Sequence, residues 1–353
     1  MSDTEDDRRA LAEVPPLPRR DSIESNLPVV DSTKLSPRQI YENKIAIGAS
    51  LIPMSILGTL IRVGLQRLET YNGAPVFGLV YAQWIGCFIM GIAVQDKSIL
   101  IHYYLPLQVA LSTGLCGSIT TFSSWQRDLF EAFANYDAAN HNGGYNILAA
   151  ISQFLVTIAM SFNGLVFGFH AGRVLATRFH TYKHRRVEIV AREFSMGSLT
   201  VRDWFVISFG YLTWIGVIFA ATFTTTQRDL AMACVFAPVG ALARWHLSVL
   251  NTCNQHFFLG TFAANMIGTA ILAALSLVES GVVISSITCD VIKGLADGLC
   301  GCLTTISTFV VELSNLPLRH SYVYGMSSVI LGQCLMFVIF GPYIWTQGVN
   351  PTC

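Results

Sequence analysis

The chain has 353 residues, of which 52% are hydrophobic and only 12% are charged. A soluble domain carries about 25% charged residues, so this composition excludes an ordinary soluble globular protein. Basic and acidic residues number 22 each, and the resulting net charge of zero gives no indication of a nucleic-acid partner. Because the apolar residues fall in long runs, the sequence predicts an all-α integral membrane protein.

Residues 1–40 mix acidic, basic and proline residues and lack the apolar region of a signal peptide. We therefore expect a disordered polar tail. Beyond it, hydrophobic runs predict nine transmembrane helices, each able to cross a hydrocarbon core of about 30 Å. The predicted spans are 45–66, 77–95, 104–132, 146–170, 204–225, 230–250, 258–279, 286–313 and 322–346.

The third and eighth spans contain a segment that a continuous membrane helix would not use. Gly114-Leu-Cys-Gly-Ser-Ile-Thr-Thr-Phe-Ser-Ser-Trp125 recurs 184 positions later as Gly298-Leu-Cys-Gly-Cys-Leu-Thr-Thr-Ile-Ser-Thr-Phe309. Glycine weakens a helix, and lipid cannot satisfy hydroxyl groups. A broken third helix is therefore predicted in each copy. Such breaks tend to lie where ions or small solutes pass, although they can also serve helix packing alone.

Two further motifs recur in the same order and show a tandem duplication. Gly58-Thr-Leu-Ile-Arg62 matches Gly240-Ala-Leu-Ala-Arg244, and Gln83-Trp-Ile-Gly86 matches Asn265-Met-Ile-Gly268, both at an offset of 182. The predicted domains are two four-helix repeats, 41–172 and 229–346, joined by a basic loop and linking helix over 173–228. Because one extra span inverts the second repeat, we expect two inverted repeats.

The distribution of basic residues predicts the orientation. The loop over 171–203 holds seven lysine and arginine residues, whereas 69–74 and 135–144 hold none. Positive loops stay in the cytoplasm, so this loop and the N-terminus are placed there. The short tail 347–353 is then extracellular.

These motifs resemble the fluoride channel and exporter family, called Fluc or CrcB in bacteria and FEX in eukaryotes. The family pattern is Gly-Ala-x-x-Arg, then Gly-Thr-x-x-x-Asn-x-x-Gly, then Gly-Gly-x-Thr-Thr-Phe-Ser-Thr-Phe. Its counterparts here are 240–244, 260–268 and 120–124. The resemblance covers both repeats. It implies a plasma-membrane channel that exports fluoride passively against fluoride toxicity, with fluoride and lipid as partners and a monomer that is an internal pseudo-dimer.

In that family an asparagine lines the pore, and the matching residue here is Asn265. Its NH₂ group can donate to an anion, although an amide between membrane helices can also form a structural hydrogen bond. Gln83 takes the same position in the first repeat and is longer by one methylene. This departure suggests that the first repeat's pore is vestigial.

Family members also line each pore with two phenylalanines, one from each unit. The intact pair is Phe122 with Phe309, and the degraded pair is Ile306 with Trp125. The partly positive edge of an aromatic ring can hold a dehydrated fluoride without trapping it. One working pore and one vestigial pore are therefore expected, unless all four residues are packing residues. The resemblance also assigns Thr121 and Thr305 to the pore.

A stripe of hydroxyls lies on one face of the fourth span, at Ser152, Thr157 and Ser161. We expect it to line the pore as a polar track facing Asn265. The alternative is hydrogen bonding of each hydroxyl to a carbonyl of its own helix.

The resemblance further implies a structural sodium ion where the two broken helices meet. Carbonyl oxygens suit such a hard cation. The matching positions are Gly117, Thr120, Gly301 and Thr304.

Arg62 and Arg244 are predicted near span ends on opposite membrane faces. They would attract anions to the vestibules, or would extend to the lipid headgroups. Asp297, which stands where the first repeat has Thr113, receives no assigned role.

Three functions fit a duplicated membrane protein of this kind. The first is the passive fluoride channel. A proton-coupled carrier for a small organic ion would need an intramembrane acid, for which Asp297 is the candidate. A membrane scaffold would leave Asn265 and the repeated breaks unexplained. The sequence has no phosphate-binding loop and no hydrolytic constellation, so an enzyme is not expected.

Overall fold

A computed structural model describes residues 37–71, 73–74, 76–136, 142–183 and 199–348, with only the backbone described at 37–43, 102 and 177–183. Over these ranges the regular structure is entirely helical. The first helix begins at Pro37, so the predicted disordered tail ends a few residues before 40. Proline fits the first turn of a helix because it has no N–H to leave unpaired. Residues 1–36, the central part of the basic loop and 349–353 lie outside the described ranges.

Among the described residues, the first half of the chain has seven helices and one π-helical segment. They are α1 (Pro37–Glu69), α2 (Leu79–Gln95), α3 (Lys97–Tyr103), α4 (Leu105–Val109), π1 (Ala110–Cys116), α5 (Gly117–Ile119), α6 (Phe122–Ala134) and α7 (Gly143–Lys183). Helix α6 ends at Asn135, whose φ of 54° is the left-handed conformation common at helix C-termini.

The second half begins with a linking helix and then repeats the pattern. Its elements are α8 (Val201–Phe223), α9 (Arg228–Leu247), a 3₁₀ turn (Ser248–Thr252), α10 (Leu259–Gly281), α11 (Ser286–Gly294), π2 (Leu295–Cys300), α12 (Gly301–Leu303), α13 (Ser307–Asn315), α14 (Leu318–Ile339) and α15 (Gly341–Gln347). The wide π-helical turns let neighbouring backbones approach. A Cβ at Gly298 would lie 2.2 Å from the carbonyl oxygen of Ala233.

Seven helical stretches among the described residues are long and apolar enough to cross a membrane. They are Lys44–Glu69, Gly143–Ala176, Val201–Phe223, Arg228–Thr252, Leu259–Gly281, Ser286–Asn315 and Leu318–Ile339. The second predicted span is a shorter apolar helix, α2, of 17 residues. The third is divided at its break into a stretch from Leu105 to Ile119 and the 13-residue α6.

Helix α8 has the surface of a lipid-facing helix. Its buried residues are Gly210 and Ala221, while large apolar side chains such as Phe205 and Phe219 are exposed. Exposed apolar residues on most of a helix indicate contact with lipid rather than with protein. Helix α8 packs on α1 and α9 and stays outside the central cluster of helices.

Candidate functional site at the crossed helix breaks

The two predicted breaks lie where expected and meet in the interior. Thr120 and Thr121 have extended backbones between α5 and α6, and Thr304 is extended after α12. The hydroxyls of Thr120 and Thr305 lie 3.2 Å apart, and those of Thr121 and Thr304 lie 2.9 Å apart. All four threonines are fully buried. The centre of the molecule is therefore a hydroxyl cluster shared by both halves.

Each break caps the helix that follows the other break. Thr304 Oγ1 accepts from the backbone N–H groups of Phe122 and Ser123, at 3.1 Å each. Thr120 Oγ1 accepts from the N–H groups of Ile306 and Ser307, at 3.3 and 3.0 Å. The first N–H groups of a helix have no partner within it, and lipid offers none. The duplicated Thr-Thr pair thus satisfies two helix N-termini reciprocally.

The two amides brace their own breaks in the same way. Asn265 Oδ1 accepts from the N–H of Thr305 at 2.9 Å, and its Nδ2 donates to the Thr305 carbonyl at 3.3 Å. Gln83 Nε2 donates to the Thr121 carbonyl at 2.7 Å, and its Oε1 accepts from the Thr121 N–H at 3.4 Å. Both alternatives proposed for Asn265 therefore remain open, because an amide NH₂ has a second proton beyond the one in this bond.

The arginines lie in the interior rather than at solvent-facing vestibules. Arg62 is fully buried; its Nε donates to Ser118 O at 3.1 Å, and its guanidinium contacts both the carboxylate and the carbonyl of Asp297. Arg244 is 5% exposed and donates to the carbonyls of Gly117, at 2.8 Å, and Thr113, at 2.6 Å. The buried side chains do not extend to the headgroups, whereas a role in attracting anions stays a prediction, since the Asp297 side chain that pairs with Arg62 is 40% exposed. Each arginine reaches across to the break of the other half.

The contact of Arg62 with the second half differs from that of Arg244 with the first half, because Asp297 stands where the first half has Thr113. The Arg62 guanidinium pairs with the Asp297 carboxylate at 3.3 Å, whereas Arg244 meets only carbonyl oxygens in its recorded hydrogen bonds. A Cβ at Gly117 would displace the guanidinium of Arg244, and a Cβ at Gly301 would displace that of Arg62. Glycine at these two positions therefore lets each guanidinium approach the backbone closely.

The intact phenylalanine pair is in contact. The rings of Phe122 and Phe309 lie edge-to-face, with centroids 5.6 Å apart. Trp125 packs against Phe122 at 5.6 Å and stacks on Phe154 at 5.8 Å. Ile306 is buried in the same apolar cluster. The structure thus places all four predicted positions together and does not separate a working pair from a vestigial one.

A buried carboxyl group beside Phe309 was not anticipated from the sequence. Glu312 accepts from Thr261 Oγ1 at 2.5 Å, from Tyr324 Oη at 2.7 Å and from Asn251 Nδ2 at 3.3 Å. The ring of Tyr324 in turn lies 5.3 Å from that of Phe309. Glutamate is almost never buried without such partners. An acid in the eighth predicted span, which also holds Asp290 and Asp297, was the sequence signal that could have identified it. We call Glu312, Thr261, Tyr324 and Asn251 the Glu312 cluster.

The predicted hydroxyl stripe faces a different helix from the one expected. Ser152 is exposed, whereas Thr157 and Ser161 are fully buried. Helix α7, which carries them, packs along α2, and Ser161 lies beside Cys87 of that helix. The stripe therefore accompanies Gln83 rather than Asn265. Helices α14 and α6 pack on α10, and the buried Ser328 of α14 donates to the carbonyl of Tyr324 at 2.8 Å.

A helical membrane protein with two interrupted helices, buried amides and a buried carboxyl at its centre belongs to the class of channels and transporters. The model of one family, described as CrcB-like protein, Camphor Resistance (CrcB), matches residues 49–169 and 231–341. These two ranges fall within the two predicted repeats. The chain belongs to the CrcB-like family.

Similar proteins carry names that agree with this family. Fluoride export protein 1 of Neurospora crassa is 33% identical, over 84% of this chain and 66% of that protein, just under two thirds of its length. Fluoride export protein 1 of Candida albicans is 32% identical, over 85% of this chain and 80% of that protein. Fluoride-specific ion channel FluC 1 of Staphylococcus epidermidis is 37% identical, over 29% of this chain and 88% of that protein. No solved structure matches the chain.

Proposed function

We propose that this chain is a fluoride-selective channel that exports fluoride passively across the plasma membrane and so protects the cell from fluoride. The observation that carries the proposal is the family match in both halves, with relatives named as fluoride exporters over most of the chain. The protein is a transporter and not an enzyme. An inside-negative potential drives an anion outward, by about 2.3 kcal/mol per charge for each 100 mV.

The proposed fluoride path follows the second repeat. Helices α10, α13 and α14 pack together there, and they carry Asn265, Phe309 and Tyr324. The carboxylate of Glu312 accepts hydrogen bonds from Thr261 and Tyr324, which orients both hydroxyls. Along this path an anion meets the amide of Asn265 and the edges of aromatic rings, because the hydroxyl protons of Thr261 and Tyr324 are donated to Glu312. Such donors bind fluoride weakly enough to release it.

Phe122 supplies the contribution of the first repeat to this path. Its ring meets Phe309 edge-to-face, so the positively polarised edge of one ring is directed at the face of the other. A fluoride ion that separates the two rings would contact ring edges after losing its water. Thr121 directly precedes Phe122, and Thr305 precedes Phe309 by four residues; their buried hydroxyls would replace lost water molecules.

The corresponding path in the first repeat is proposed to be vestigial. Trp125 stands where the second repeat has Phe309, and its ring is fixed between Phe122 and Phe154. Leu79 stands where the second repeat has Thr261, and it packs in the apolar cluster. The hydroxyls of Thr157 and Ser161 remain buried beside this path. Without a counterpart of Thr261, the path lacks the hydroxyl that Glu312 contacts in the second repeat.

The finer architecture supports the same proposal. We infer nine membrane crossings in two inverted repeats, with the N-terminus in the cytoplasm and the chain acting as a monomer with an internal pseudo-dimer. Its support is the reciprocal pattern of contacts between the halves: Thr120 with Ser307, Thr304 with Ser123, Arg62 with Asp297 and Arg244 with Gly117.

A structural sodium ion is part of the proposal, with a revised ligand set. Gly117 O already accepts from Arg244, and Gly301 lies against the Arg62 guanidinium, so neither glycine favours an added cation. The carbonyls of the extended Thr120 and Thr304 suit a hard cation better. If sodium binds, replacing it with potassium or a large organic cation should lower the unfolding temperature of the purified protein.

The experiment that tests the proposal uses purified chain in fluoride-loaded liposomes. A fluoride electrode follows efflux while a potassium ionophore clamps the voltage, and chloride-loaded vesicles serve as the control. Fast fluoride release without chloride release is the expected result. Absence of fluoride release, from protein shown to be folded and inserted, would overturn the proposed function.

The Glu312 cluster gives specific support to a second candidate, a proton-coupled carrier for a small ion. Such carriers use a buried intramembrane acid, and Glu312 fits this role better than Asp297, whose carboxylate pairs with Arg62. A coupled carrier would move its substrate in response to an imposed pH gradient at zero voltage. A channel would move fluoride in response to the voltage. It would leave the pH gradient unchanged once the passive movement of HF has been subtracted.

A further inference from the structure

Two histidines from distant parts of the chain meet at one end of the second repeat. The ring centroids of His256 and His320 lie 4.4 Å apart, and the rings are inclined by 77°. His256 precedes α10 and is exposed, whereas His320 is in the first turn of α14 and is half-buried. The backbone N–H of His256 donates to Asn254 Oδ1 at 2.8 Å, which fixes the connection on that side.

This histidine pair adjoins the Glu312 cluster. Phe257, next to His256 in the chain, packs edge-to-face on Tyr324 with centroids 5.0 Å apart. His320 precedes Tyr324 by four residues, so it lies one helical turn before it on α14. The two imidazoles therefore stand at the mouth of the path in which Tyr324 and Glu312 lie.

We propose that His256 and His320 together bind a divalent transition-metal ion, with zinc as the reference ion. Neutral imidazole is a good ligand for zinc, copper and nickel, and two imidazoles that already touch need little rearrangement to share an ion. The described residues contain no group of three or more metal-binding side chains, so the remaining coordination positions belong to water. The ion is exchangeable and solvent-accessible.

The consequence for transport rests on the proposed function. A bound ion ties the connection before α10 to the start of α14 and thereby holds Phe257 against Tyr324. It also places two positive charges at the mouth, which would retain fluoride there. Conduction requires an ion to leave as readily as it binds, so zinc slows fluoride efflux.

Calorimetry on the purified full-length chain tests binding without reference to transport. Zinc chloride is titrated into the intact protein and into the variants His256→Ala, His320→Ala and the double variant. The matched control is His246→Ala, because that ring packs on Trp245 instead. We expect one zinc ion per chain in the intact protein and the control, and an affinity at least about tenfold lower in each single variant. The double variant should bind zinc no more tightly than the weaker of the two single variants. Equal affinity in all variants, or no binding to the intact protein, would overturn the site.

Fluoride efflux from liposomes with and without zinc tests the consequence. Zinc should slow efflux of the intact protein, EDTA should restore it, and the double variant should be insensitive. Calorimetric binding without an effect on efflux would overturn the proposed role at the mouth. A protein that binds zinc through both histidines and releases no fluoride under any condition would overturn the proposed function and leave the metal site intact.

Discussion

The two halves of the molecule share their central framework and differ around it. In both halves, the first threonine of the Thr-Thr pair caps the helix that follows the opposite break. A side-chain amide bonds to the backbone of the second threonine, and an arginine contacts the break of the other half. In the second half alone, the sequence places Thr261 opposite Glu312; the first half has Leu79 and Asp128 at these positions. Features that duplication has preserved thus hold the breaks together. Features found once, such as the Glu312 cluster, lie on the proposed fluoride path.

The largest expected effect separates the two amides. Asn265→Asp should reduce fluoride efflux to the protein-free background, because a carboxylate cannot donate to the Thr305 carbonyl and would bury an unpaired charge. Gln83→Glu is the matched change in the first half. If the first path is vestigial, Gln83→Glu protein that remains folded should retain efflux. Equal loss in the two folded variants would show that both amides serve the framework only.

The next effect concerns the two acids. Glu312→Gln keeps the shape of the side chain and replaces one of the two carboxyl oxygens that accept from Thr261 and Tyr324 with an NH₂ group, which cannot accept. A buried group that loses its hydrogen-bond partner costs about 1–3 kcal/mol, so we expect efflux to fall by roughly tenfold. Asp128→Asn, the equivalent change in the first half, should leave the rate within twofold of the intact protein, as a variant without a role in this path would. A greater loss with Asp128→Asn would reverse the assignment of the two paths.

A smaller effect should be equal in both halves. Thr120→Val and Thr304→Val each remove one cap that serves two N–H groups of the opposite helix. Loss of an N-cap costs about 0.5–2 kcal/mol, and each variant should lower the midpoint of thermal unfolding by a similar amount. Strongly unequal shifts would mean that one break contributes little to stability and that the framework is not symmetric.

The smallest effect lies on the stripe of α7. Among the described residues, Thr157 Oγ1 has no hydrogen-bond partner. Replacing an unpaired buried hydroxyl with a methyl group of the same shape is nearly neutral or stabilising, so Thr157→Val should unfold at the same temperature or slightly higher. Its fluoride efflux should be unchanged. A clear loss of efflux would place the ion beside α7 and restore the polar track predicted from the sequence.

The sequence predicted local features well because they depend on neighbouring residues. Glycines followed by Thr-Thr indicated both breaks, and the structure has extended residues at Thr120 and Thr304. The reciprocity of the caps could not be foreseen, since it depends on how the two breaks cross. Likewise, the partners of Glu312 lie 51 and 12 positions away, and nothing at Glu312 itself indicates them.

Other predictions failed because the helical spacing of residues and their depth in the membrane do not specify which side chains they contact. The spacing of Thr157 and Ser161 placed them correctly on one buried face, but the helix that they meet is α2. The position of Arg62 near the end of a span suggested water, yet the guanidinium finds Asp297 and Ser118 inside the protein. A long side chain reaches several ångströms along a helix, so its sequence position does not fix the environment of its charge.

The reciprocal caps have a consequence for how the protein is made. While the ribosome is still synthesising the second half, the N–H groups of Phe122 and Ser123 are in the membrane without Thr304 to receive them. These two N–H groups therefore lack this hydrogen-bond partner until about 180 further residues have been synthesised. Keeping both halves on one polypeptide guarantees that the partner arrives at the same place and in equal number. The lipid-facing helix α8 provides this physical connection between the two halves during biogenesis.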